Sequence, residues 1–166
     1  NNLDIYDYVP RYFAKYGHVA VVSVDYRLAP EYKFPTGLED AYAALEWAVA
    51  NAGSYRGDPG SVTVCGDSAG GNFSAVLCLM SRDRGGPAIH KQILLYPATT
   101  FLLKERTESE KRYGNGDHFL IINSELGMVN DYFADQKDAE NPYASPLNAD
   151  SLRDLPPACF ISAECD

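Results

Sequence analysis

The alternating, β-branched run Ser61-Val62-Thr63-Val64-Cys65 leads into Gly66-Asp67-Ser68-Ala69-Gly70, and an almost continuously apolar run over 72–80 follows. Alternation with β-branched residues predicts a strand, and the second run is long enough for a buried helix. Five residues must therefore carry the chain from sheet to helix. A turn that tight has room for small side chains only, and Gly66 and Gly70 supply them two positions either side of Ser68. The serine between them is expected to take a strained backbone conformation with its hydroxyl lifted off the strand end. The Ala69 N–H, at the helix start, points to where an oxyanion would develop. Asp67 is read as packing against the turn and ordering its backbone. G-x-S-x-G occurs by chance in many chains; the strand before it and the helix after it make this one a nucleophile elbow.

The same change of period repeats along the chain. Ile5, Tyr8, Val9, Tyr12, Phe13 and Tyr16 recur at helical spacing, with Asp4 and Asp7 near the start, Lys15 near the end and Gly17 just after, predicting an amphipathic helix. Residues 19–24 form a near-continuous β-branched run, the pattern of a strand covered on both faces in a parallel sheet. Thr36-Gly37-Leu38-Glu39 has capping-box spacing. It should open a helix that buries Leu38, Tyr42, Leu45 and Val49 and stops at Gly53. Gly57-Asp58-Pro59-Gly60 reads as a turn, Gly85-Gly86-Pro87 as a break, and 89–96 as a buried strand stopped by Pro97. From about 99 to 140 the character changes: 104–112 is mostly charged, Gly114-Asn115-Gly116-Asp117 is a turn, and Leu126, Val129, Asn130 and Phe133 have helical spacing. This is read as an excursion over the sheet, its charged run a solvated face. Residues 158–162 predict a further strand, with Asp166 just beyond it. Strands alternating with helices imply a doubly wound, mostly parallel α/β sheet whose sites lie outside the carboxyl ends of the strands.

A chain of 166 residues is enough for one core and buries roughly 70% of its unfolded surface. Lys and Arg total 14 against 23 Asp and Glu, and the net charge of −9 argues against nucleic acid or an anionic membrane surface as a partner. No apolar stretch is long enough to span a bilayer, and the N-terminal residues lack the pattern of a signal peptide. Cys65, Cys78, Cys159 and Cys165 lack the paired spacing of a zinc site, so no metal is expected. Three of them sit in or beside apolar runs, which favours a reducing compartment such as the cytoplasm.

Ser68 and Asp166 both fall at carboxyl ends of predicted strands. In an elbow-based triad the order is serine, then Asp or Glu, then histidine. His18 precedes the elbow, His90 lies at the amino end of a strand, and His118 comes before Asp166, so none fits that order. His118 is retained as a substitute base because excursions fold over sites. Glu164, two residues before Asp166, is the alternative acid. Asp25, Arg27, Glu39 and Asp40 are expected to form a structural ion-pair network beneath the site.

Val22-Ser23-Val24-Asp25-Tyr26-Arg27-Leu28-Ala29-Pro30-Glu31, with Phe34-Pro35 and Leu38-Glu39-Asp40-Ala41, precedes Gly66-Asp67-Ser68-Ala69-Gly70-Gly71-Asn72. Leu95-Tyr96-Pro97, Tyr143-Ala144-Ser145-Pro146-Leu147, Leu155-Pro156-Pro157 and Ala163-Glu164-Cys165-Asp166 follow in order. This series resembles the hormone-sensitive-lipase-like group of α/β-hydrolase carboxylesterases. The resemblance implies a partial α/β-hydrolase domain over 1–166 acting on small-molecule esters without a cofactor. Ser68 is then the nucleophile, Asp166 the triad acid, Ala69 an oxyanion donor, and Gly66, Asp67 and Gly70 the frame of the elbow. The sequence departs from the group at Cys165, where an aromatic is more usual. It also lacks a Gly-rich oxyanion loop ahead of residue 1 and a histidine after residue 166, so the 166-residue chain by itself is expected to be inactive. The competing reading is a non-catalytic hormone binder, since plant gibberellin receptors resemble the same group and have lost the histidine.

Overall fold

Three parallel strands carry the architecture of the computed structural model, which describes residues 3–101, 107–117 and 130–165. They are β1 (Thr63–Asp67), β2 (Lys91–Leu95) and β3 (Ala158–Ile161), hydrogen-bonded in that order. The register sets Cys65 opposite Ile93 and Ile93 opposite Cys159, so Asp67, Leu95 and Ile161 reach the same edge of the sheet. Before them come α1 (Leu3–Tyr6), α2 (Tyr8–Gly17) and α3 (Thr36–Asn51). Helix α4 (Ala69–Arg84) makes the crossover from β1 to β2, and α5 (Glu108–Tyr113) follows.

The core lies where α4 is packed between α3 and the strands β1 and β2. Leu38, Tyr42 and Leu45 of α3 meet Phe73, Val76, Leu77, Cys78 and Met80 of α4, with Val64 beneath them. That is the face of α3 expected from its spacing. Burial pushes the Cys78 thiol up to about 12, as suits a cysteine serving as a small apolar side chain. Two features close α4 at its far end. Gly85 takes the left-handed conformation with φ 62°, and the Gly86 N–H donates to Ser81 O at 2.8 Å. The turn before β1 is tied by Asp58, whose side chain accepts from the Gly60 N–H at 2.8 Å.

Several local expectations fail for identifiable reasons. Glu39 does not close a capping box on Thr36; Pro35 occupies the N-cap, and Glu39 instead accepts two hydrogen bonds from Arg84 of α4, at 2.7 and 2.9 Å. A bidentate charged pair outcompetes a backbone cap, and it holds the Glu39 carboxyl below its usual range. The expected network is therefore two separate pairs: Arg84–Glu39 between helices, and Arg27–Asp40 at 2.7 Å. Gly53 does not end α3; a 3-10 turn over Ala52–Tyr55 continues it, and Arg56 takes the left-handed position with φ 60°. At the end of α2 His18 takes it, with φ 52°, while Gly17 stays helical.

The largest difference is at residues 19–24. They belong to no strand, and Val19, Val21 and Val22 are exposed. A strand exists by its ladder, and among the described residues none pairs with this run. In the charged stretch after β2, Thr107 and Glu110 form a reciprocal capping box that starts α5. Leu126 and Val129 lie outside the described residues, whereas Phe133 is buried with Ala139 and Ala144.

Candidate active site

Ser68 sits between the last residue of β1 and the first of α4, with φ 51° and ψ −113°. That is a left-handed value for a residue with a Cβ, a strain of about 1–3 kcal/mol that persists only where the surroundings over-determine it. Three hydrogen bonds do so here. The Ser68 N–H donates to Leu95 O at 2.9 Å, and Ser68 O accepts from the Asn72 N–H at 3.0 Å and the Ala98 N–H at 3.2 Å. The residue is exposed, at the carboxyl edge of the sheet. Ala69 begins α4, so its N–H is among the helix donors that lack an intrahelical acceptor.

Close packing explains the glycines unequally. A Cβ on Gly66 would overlap the carbonyl carbon and oxygen of Gly70, so strand and helix pass backbone to backbone there. At Gly70 itself a Cβ would meet only Asp67 Oδ1, at 3.9 Å. The second crowded position is Gly71, where a Cβ would come 2.9 Å from Pro97 Cβ. Spacing around the serine points to Gly70; only the path of the loop after β2 shows that Gly71 is the one pressed.

Asp67 faces the N-terminal helices. Its Oδ2 accepts from the Tyr6 hydroxyl at 3.4 Å, and the nearby carboxylate, with some burial, raises the Tyr6 phenol above its ordinary value. Tyr26 is raised too, chiefly by burial and then by Tyr6 and Asp67; its ring lies 4.8 Å from that of Phe73. Nothing in the linear pattern ties Tyr6 to residue 67, so this contact was not legible beforehand.

Asp166 and His118 lie outside the described residues. Tyr96 N–H donates to Ile161 O at 2.7 Å, which sets the end of β3 beside the end of β2, and Glu164 lies in an exposed turn three residues farther on. His90 donates its backbone N–H to Val62 O at 2.7 Å, at the amino end of the sheet and away from Ser68. His18 is exposed at the end of α2. Two shallow pockets, one of about 340 Å³ beside Asp25, Arg27 and Tyr32 and one of about 260 Å³ beside Arg82 and Asp150, do not include Ser68 in their linings. Among the described residues no helix is long and apolar enough to cross a membrane.

Known proteins are similar to this chain in sequence and in fold. The carboxylic ester hydrolase LipN of Mycobacterium tuberculosis is 41% identical over 172 residues, covering 99% of this chain and 45% of LipN. An arylesterase of Saccharolobus solfataricus is 39% identical over 167 residues, covering 99% of this chain and 53% of its own length. The solved structure of the Pyrobaculum calidifontis esterase superposes with a TM-score of 0.94 at 42% identity, covering all of this chain and 54% of that one. The chain thus spans about half the length of the curated relatives it matches. Residues 1–166 match the model of a family described as alpha/beta hydrolase fold, and the chain belongs to that family.

Proposed function

We propose that the whole protein is a carboxylic ester hydrolase that works through an acyl-enzyme on Ser68. The observation that carries this reading is the strained, hydrogen-bonded Ser68 backbone at the carboxyl edge of a parallel sheet, on an exposed residue. Similarity to proteins named as ester hydrolases supports the same reaction class.

In this scheme Ser68 Oγ attacks the ester carbonyl carbon, and its proton passes to a histidine base. The carbonyl oxygen becomes an oxyanion facing the Ala69 N–H at the helix start. Collapse of the tetrahedral species expels the alcohol, which takes the proton back from the histidine. Water then repeats the sequence on the acyl-serine and releases the acid. Asp166 orients the histidine, with Glu164 as the alternative acid. Gly66 lets the strand pass against the backbone of Gly70, and Asp67 braces the turn through Tyr6. In the order serine, acid, histidine, the base follows Asp166. The steps draw on side chains and backbone amides alone, and the substrate is a small-molecule ester.

The test is covalent. Treating the whole protein with a fluorophosphonate should place the adduct on Ser68, and Ser68→Ala should lower kcat on a short-chain p-nitrophenyl ester by roughly 10⁶. An adduct on another serine would refute the assignment. Ligand binding with neither labelling nor hydrolysis would make the protein a binder of the hormone-receptor kind.

A further inference from the structure

Asn72 stands in the first turn of α4 and is 3% exposed. A buried side-chain amide costs free energy unless its donors are used. Here Nδ2 donates to Ala98 O at 2.6 Å and to Ala144 O at 2.8 Å, which occupies both of its hydrogens. Ala98 is thereby held from both sides of its backbone. Its carbonyl is fixed by Asn72, and its N–H donates to Ser68 O at 3.2 Å. Ala144 belongs to a second segment, and the two segments are joined again where the Leu147 N–H donates to Thr99 O at 3.1 Å and the Phe101 N–H to Ser145 Oγ at 2.9 Å. Pro97, at the start of the first segment, is the residue pressed on Gly71.

We propose that Asn72 is a positioning residue for Ser68, acting through Ala98. The amide draws the 97–99 segment onto the first turn of α4, so that the Ala98 N–H reaches the serine carbonyl and helps hold a backbone conformation the serine would otherwise leave. The role needs two donors converging on two carbonyls. An apolar side chain supplies none, and a carboxylate would set a charge against both oxygens. This inference rests on the reading of Ser68 as the nucleophile, while the geometry it invokes does not.

Asn72→Ser is the main variant, because a serine hydroxyl in a helix reaches back to the carbonyl four residues earlier, here Ser68 O, and leaves the carbonyls of Ala98 and Ala144 without their donor. Asn72→Ala serves if that variant fails to fold. Amide hydrogen exchange on the whole protein should show Ala98 exchanging at least about tenfold faster in either variant, with Ile93 in the central strand unchanged. Unchanged protection at Ala98 would overturn the proposal whether or not the protein hydrolyses esters. On an ester that the wild type turns over, kcat should fall about ten- to a hundredfold with KM held within about threefold, the mark of a misplaced reacting group rather than lost binding. Ser145→Ala, which cuts the bond to Phe101 on the same pair of segments, should leave kcat within about threefold. Equal losses in kcat from the Ser145 and Asn72 variants would reduce Asn72 to a general structural contact and also overturn the proposal. A wild type that hydrolyses nothing would count against the nucleophile reading, and the exchange result at Ala98 would still decide this one.

Discussion

In α4 every residue from 71 to 81 except Ala75 is buried, whereas no residue of α1 or α2 is buried. Yet Ile5, Tyr8, Val9, Tyr12, Phe13 and Tyr16 are as apolar as much of α4, and their spacing is the cleaner helical pattern of the two. The tyrosines of α2 contact one another, Tyr8 and Tyr12 at 6.1 Å between ring centres and Tyr12 and Tyr16 at 4.5 Å, along one side of the helix. The Tyr6–Asp67 hydrogen bond links this stretch to the elbow. Periodicity thus announces which face of an element is apolar; burial depends on what is packed against it. The elbow side is fitted at the level of single atoms, and the side formed by α1 and α2 is not.

The sharpest way to break that comparison is to add one methyl group to each side. Gly66→Ala would drive a Cβ into the backbone of Gly70, where neither side can yield as a flexible side chain would. We expect a loss of more than about 3 kcal/mol in denaturant unfolding, at the severe end of overpacking. Gly17→Ala meets only Val19 Cγ2, at 3.6 Å, and lies in helical backbone, so it should be neutral or stabilising by up to about 1 kcal/mol. Similar losses at the two positions would show that the two sides are equally tight.

Removing side-chain volume gives the next effect in size. Met80 is fully buried in the core of α3 and α4, and Met80→Ala should cost about 2–4 kcal/mol through lost burial and the cavity left behind. Ile5 is 69% exposed, and Ile5→Ala should stay within about 0.5 kcal/mol. A large loss at Ile5 would mean that α1 is covered by something in the intact protein, and the contrast between the two sides would disappear.

What could be read beforehand follows the same division. The strand, turn and helix around Ser68 were legible because each is set by neighbours in sequence: β-branched alternation up to Cys65, small residues at Gly66 and Gly70, and an apolar run after them. β2 and β3 were legible for the same reason, and so was the buried face of α3. Apart from the helix ends at Gly17 and Gly53, which are local, the failures depend on a distant partner. Residues 19–24 have strand composition and no ladder among the described residues. Glu39 has capping-box spacing and is claimed by Arg84, 45 positions away. The crowding at Gly71 and the clasp of Asn72 on Ala98 and Ala144 appear only when the loop after β2 is laid across α4. The one candidate triad acid that the resemblance favours, Asp166, lies outside the described residues, so the acid side of the site still rests on the order of the chain.

The smallest effect concerns the ion pair that ties the 19–28 stretch to α3. Asp40 accepts from the Arg27 N–H at 3.0 Å, from Nε at 2.8 Å and from Nη2 at 2.7 Å. These bonds, the side-chain ones first, lower the Asp40 carboxyl from an ordinary 3.8 to about 2. A carboxyl depressed by folding contributes stability that is complete above its unfolded pKa and is lost as the pH falls through the folded one. The window is therefore from about pH 4 down to about pH 2. The side chains are 52% and 26% exposed, so solvent screens the pair and the contribution belongs with the modest surface pairs. Wild type and Asp40→Asn should thus differ slightly in Tm at pH 6, and the gap should close toward pH 2. Glu39, which Arg84 also lowers, titrates in both proteins and drops out of the difference. The same variant should speed amide exchange at Arg27, whose N–H loses its carboxylate, while Tyr42 and Leu45 within α3 exchange as before. A gap that stays constant from pH 6 to pH 2 would show that the pair is not its source. Faster exchange throughout α3 would show that the 19–28 stretch is coupled to the core far more tightly than its exposure indicates.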